Sequence, residues 1–80
     1  MPTPIRQRVS RNIRYLKKRD ELRAVDIAEA VGVRERQVRD WTSDKDWGSN
    51  PSDEKIGELA KLFGVEAGYF FNDNEESRGA

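Results

Sequence analysis

The stretch AVDIAEAVGVRERQVRDW, residues 24–41, decides how this chain folds. Its first part, 24–31, repeats Ile27, Ala28 and Val31 at the three- and four-residue spacing of one helix face. Gly32 stops that pattern, because glycine enters the left-handed backbone region without a Cβ clash. After Val33 a second helical pattern, 34–42, turns Val38 and Trp41 inward. Isolated helices shorter than about 12–15 residues are marginal in water, so two segments this short must pack on something. Ala28, four residues before the glycine, supplies the small side chain that lets two backbones meet at a steep angle. The stretch therefore predicts two short helices joined at a tight corner.

Working outward, Ile5, Val9, Ile13 and Leu16 line one stripe of a basic amphipathic helix over 5–19, and Leu22 begins a connector. Past Trp41 the chain reads as a loop up to Pro51. Ser52 suits a helix N-cap, and Asp53 and Glu54 follow it where the helix dipole favours anions. This fourth helix buries Ile56, Leu59, Ala60, Leu62 and Phe63 and ends at Gly64. A short fifth helix from about Glu66 carries Tyr69, Phe70 and Phe71, with Val65 packed between the two. No strand pattern competes. The fold class expected is all-α: one compact five-helix domain over 5–71. A flexible segment, 1–4, precedes it, and an acidic, disordered tail, 72–80, follows.

Eighty residues, 38% of them charged and 35% hydrophobic, allow one domain with a lean core. Cys and His are both absent, which removes disulfides, thiolate metal sites, the usual neutral-pH acid/base and the commonest zinc ligand. With no phosphate-cradling glycine loop and with scattered carboxylates, an enzyme is not expected, nor a metal or cofactor. No apolar run approaches ~18 residues and no secretory leader is visible, so the expected location is the cytoplasm, at the nucleoid. The formal net charge of zero hides an asymmetry. Residues 1–40 hold eleven Lys/Arg against six Asp/Glu, and residues 41–80 hold four against nine. One basic face is enough for a nucleic-acid partner, although a solvated helix surface explains the same charges equally well.

The glycine-bracketed pair, together with Val9, Ile13, Leu16 and Leu22 before it, has the spacing of a helix-turn-helix. The closing segment NPSDEKIGELAKLFGVEAGYFF, residues 50–71, follows in the expected order. Over roughly 5–72 the chain resembles the phage-repressor (Cro and repressor-like, or XRE) helix-turn-helix family. Its ending is similar to that of actinobacterial secretion-regulating members. The resemblance implies a lambda-repressor-like domain that binds operator DNA as a transcriptional regulator, most simply a repressor. The recognition helix, 34–42, would lie in the major groove.

By the same resemblance, Arg34, Glu35, Arg36, Gln37, Arg39 and Asp40 are the candidate base readers. Arginine's fork of donors suits guanine N7 and O6, and Gln37 suits adenine. Glu35 suits cytosine N4, or else holds a neighbouring arginine in place. Candidate phosphate contacts are Arg23, the backbone at Ala24, Thr42, Ser43 and Lys45, with the basic side of the first helix as a further source. Two copies on a pseudo-palindromic site are expected, and Tyr69, Phe70 and Phe71 either form a small dimer contact or close the core. An antitoxin that binds a toxin protein as well as DNA is the alternative. Some positions depart from the family pattern. Arg23 and Ala24 stand where Thr/Ser-Gln is usual, and Glu21 stands in place of a glycine before the connector. Lys17 and Thr42 replace an Arg–Glu pair, and Arg34 replaces a capping Ser/Thr.

Overall fold

The computed structural model describes residues 4–43 and 49–79. Four α-helices, α1 (Ile5–Arg19), α2 (Ala24–Val31), α3 (Glu35–Trp41) and α4 (Asp53–Phe63), precede short 3₁₀ turns at Ala67–Phe71 and Glu75–Ser77. No strand occurs among the described residues. No described helix is long and apolar enough to cross a membrane.

Several helix boundaries have a local cause. Ser52 Oγ accepts from the Lys55 backbone N–H and opens α4. Gly32 and Gly64, at φ 73° and 71°, close α2 and α4 in the left-handed conformation. The end of α1 uses the same geometry without a glycine. Glu21 sits at φ 54°, while the Leu22 N–H reaches Lys17 O at 2.9 Å and the Glu21 N–H reaches Lys18 O at 3.2 Å. This is a Schellman closure built on a residue whose Cβ crowds the backbone. The expected short fifth helix is a 3₁₀ turn of five residues, with Gly68 as its second residue. A segment so short, holding the weakest helix former after proline, closes with tighter bonds such as Tyr69 N–H to Glu66 O at 3.0 Å.

The core draws on every helix. Val9, Ile13, Leu16, Ile27, Val38, Leu59 and Phe70 are fully buried, and Ala28, Val31, Trp41, Ile56, Ala60 and Phe63 nearly so. Burying one large apolar side chain stabilises by about 1.5–3 kcal/mol, so a domain this small depends on each of them. Ile5, expected on the inward stripe, is instead 59% exposed, because the first turn of α1 runs past the edge of the packed core. Leu62 is only partly buried against the cluster. α2 and α3 pack on each other, α1 braces α3, and α4 braces α2.

The basic helix α1 turns much of its charge inward. Arg14 Nη1 donates to Thr42 O at 2.8 Å and Arg19 Nη2 to Phe63 O at 2.8 Å. Arg6 makes a longer contact with Ser43 O, at 3.4 Å. Lys55 Nζ reaches Val31 O at 2.7 Å. In each case a cation meets a carbonyl at or just past a helix's C-terminal end, where orphan acceptors and the negative end of the dipole favour it. On the basic side of α1 that is expected to add phosphate contacts, Arg6, Arg14 and Arg19 are thus engaged within the molecule.

Residues 72–79, expected to be disordered, lie against α1. Asn12, 1% exposed, joins them. Its Nδ2 lies 3.0, 3.0 and 2.9 Å from the carbonyls of Tyr69, Phe70 and Asn72, and its Oδ1 accepts from Asn74 Nδ2 at 3.0 Å. Asp73 pairs with Arg11 at 3.2 Å, and Ser77 is buried. A polar composition reads as disordered because it lacks apolar surface to bury. Here a buried asparagine and an ion pair hold the segment instead.

Candidate nucleic-acid interface

The residues that α3 presents outward follow from the two it buries. Val38 and Trp41 face the core, and stepping round the helix by ~100° per residue puts Arg36 opposite them. Arg39 and Asp40 flank Arg36, and Glu35 and Gln37 lie further round. Arg34, Glu35, Arg36, Gln37 and Arg39 are all exposed, while Asp40 is half-buried. Arg34 is the N-cap in extended conformation, without a side-chain cap bond, and Thr42 is the C-cap. The described helix is thus one residue shorter at each end than the expected 34–42.

The cations on this face differ in how far they are committed. Arg39 Nη2 lies 2.8 Å from Glu35 Oε1, an ion pair one turn apart with side chains 70% and 44% exposed. In water such a pair contributes only about 0.3–0.5 kcal/mol, but it does restrict the guanidinium. Of the ten arginines, Arg34 and Arg36 are the two with no hydrogen bond or ion pair among the described residues. Asp40 also has no side-chain partner among them.

The amino end of α2 lies beside this face. Asp26 Oδ2 accepts from the Arg23 backbone N–H at 2.9 Å, and the carboxylate also receives Arg23 Nε and Nη2 at 3.2 and 3.1 Å. This is one half of a capping box. The reciprocal half is impossible because a guanidinium has no acceptor. The bond from the Arg23 side chain, and then that from its backbone, hold the Asp26 carboxyl below its usual range. Asp26 raises the Arg23 pKa in return, chiefly by the side-chain hydrogen bond, and Glu29 and Glu35 add smaller electrostatic contributions. A phosphate approaching Arg23 therefore competes with Asp26. The Ala24 backbone N–H has no acceptor among the described residues.

Past α3, the Thr42 hydroxyl bonds back to its own helix, at 3.1 Å from Val38 O and 3.2 Å from Arg39 O. The Ser43 N–H is spent on Asp40 O at 3.3 Å. Lys45, and Trp47 in the same loop, whose indole is expected to pack on the domain edge rather than touch DNA, lie outside the described residues. Thr42 is better described as a structural C-cap than as a side chain waiting for a ligand. The bond from Arg14 Nη1 to Thr42 O ties α1 to the end of α3.

The aromatic trio divides. Phe70 is fully buried and stacks edge-on against Tyr69, with ring centroids 6.1 Å apart, so of its two expected roles it takes that of closing the core. Tyr69 is half-buried, and its hydroxyl lies 3.1 Å from Glu76. Burial first, and then that hydrogen bond, push its pKa up to about 12. Phe71 alone remains largely at the surface, 39% exposed.

Sequence reasoning missed Asn12, Arg14 and Lys55. For Asn12 a signal was present: it falls three residues after Val9 and four before Leu16, a polar residue on the apolar stripe. Arg14 and Lys55 carry no such mark, since nothing local says which carbonyl a long cation will reach. Comparisons of the chain with protein-family models, with curated proteins and with solved structures find no match.

Proposed function

We propose that this chain is a sequence-specific double-stranded DNA-binding protein of the phage-repressor-like helix-turn-helix kind, acting as a transcriptional regulator. In this reading α2 and α3 are the two helices of the motif, and the 3₁₀ turn at Ala67–Phe71 stands for the family's fifth helix. α3 enters the major groove, which at about 12 Å wide admits one helix. The amino end of α2 meets the phosphate backbone through the Ala24 N–H. The observation that carries this reading is the unequal commitment of the arginines. Those of α1 are largely bonded within the molecule, whereas Arg34, the exposed N-cap of α3, and Arg36, on the outer face of that helix, have no partner among the described residues.

The test is binding of the wild type and of Arg36→Ala to a duplex selected from a random pool, and to an unrelated duplex. A base-reading arginine is worth about 1–3 kcal/mol on the selected site and little on the unrelated one. Equal losses on both duplexes would remove Arg36 from base reading. Failure of the wild type to select any duplex would remove the function.

A further inference from the structure

Resting on that reading, we infer that the half-site read by α3 contains two nearby guanines, one taken by Arg36 and the other by Arg39 with Glu35 as its positioning residue. Arg36 and Arg39 are the two exposed cations nearest the crest of α3, three residues and so about 4.5 Å apart along the axis. Base pairs rise about 3.4 Å per step, so the two side chains address adjacent or next-but-one pairs. The major-groove edge of guanine carries two acceptors, N7 and O6, matching two parallel guanidinium N–H groups. Adenine and cytosine each place an amino group there, which repels the same fork.

Glu35 has a different part. Its Oε1 accepts from Arg39 Nη2 at 2.8 Å, so this carboxylate is engaged and is not a free acceptor for cytosine. Only Nη2 is involved. Each terminal nitrogen carries two hydrogens, so Nη2 can serve Glu35 with one and a base with the other, beside the free Nη1. The pair is weak while exposed to water. It strengthens when the groove excludes solvent, because the same charges then interact through a lower dielectric. Arg36 has no such holder among the described residues and relies on the base alone.

The experiment is selection from a random duplex pool with the wild type, Arg36→Ala, Arg39→Ala and Glu35→Gln. Affinities are then measured on the wild-type site with 7-deazaguanine at each position in turn. All three side chains are exposed, so a thermal melt of each variant shows that it remains folded. The expected wild-type site holds two guanines no more than two steps apart, and removing N7 at either lowers affinity about tenfold or more. Arg36→Ala abolishes selection at one guanine and Arg39→Ala at the other. Glu35→Gln relaxes selection at the Arg39 guanine only, a positional readout that a general loss of helix stability would not produce. Selective binding to a site without paired guanines, or Glu35→Gln leaving the Arg39 position untouched, overturns this inference while the proposed function stands. Absence of any selective binding overturns both.

Discussion

Replacing Asn12 tests how the chain's last segment is held. Its side chain supplies two N–H hydrogens and one acceptor pair, and faces the Tyr69, Phe70 and Asn72 carbonyls and the Asn74 amide at 2.9–3.0 Å. Asn12→Ala removes about three hydrogen bonds, each worth a net ~1 kcal/mol, and leaves the carbonyl facing the buried bond to Phe70 unpaired. A loss of about 3 kcal/mol is therefore expected. For a domain of 60–100 residues, 1 kcal/mol moves Tm by roughly 4–8 °C, so the melt should fall by about 12–24 °C. Asn12→Asp sharpens the test. An ionised carboxylate of the same shape donates nothing and confronts three carbonyl oxygens, so at neutral pH this variant should be less stable than Asn12→Ala. Its folded-state pKa must be raised above the unfolded carboxylate value of about 3.9. The unfolded chain then loses the proton first, and stability is greatest below about pH 4 and is lost as pH rises through the folded pKa. Circular-dichroism melts from neutral to acid pH measure this directly. An Asn12→Ala variant within about 1 kcal/mol of the wild type, or an Asn12→Asp variant that gains nothing on acidification relative to Asn12→Ala, would refute the reasoning.

Glu21→Gly relieves a left-handed non-glycine residue, φ 54°, whose strain of about 1–2 kcal/mol exceeds the extra unfolded-state freedom of glycine, about 0.4–1 kcal/mol. A net gain of about 0.5–1 kcal/mol should raise Tm by several degrees, and an unchanged or lower Tm would contradict it. Arg14→Ala deletes a charge-assisted bond to Thr42 O at 2.8 Å and should cost about 1–2 kcal/mol. Amide exchange should speed up preferentially in the last turn of α3, and uniform loss of protection would argue against a local tie. Tyr69, pushed up to about 12 by burial and by Glu76, makes stability fall as pH rises from its unfolded value near 10 through the folded one. Tyrosinate absorbance of the wild type against Tyr69→Phe isolates this group, and a Tyr69 titration midpoint near 10 in the folded protein would be the contrary result.

What could be read without coordinates was whatever repeats locally. The three-and-four spacing of Val9, Ile13 and Leu16 placed α1, and Gly32, Ser52 and Gly64 marked ends that the backbone obeys. Burial of Val38 and Trp41 then settled which residues of α3 face outward. Periodicity orders neighbours along one helix, and capping chemistry is confined to a few residues, so both survive in the linear chain. The tertiary structure alone decided how the long and polar side chains were used. It bonded Arg14 to Thr42 O, 28 residues away, and Lys55 to Val31 O, 24 away. It placed Phe70 inside and Ile5 outside. It also seated an acidic segment on Asn12 where composition pointed to disorder. A flexible cation has many carbonyls within reach of its stem, and only the packing of separate helices determines which of them is left unpaired at the right distance.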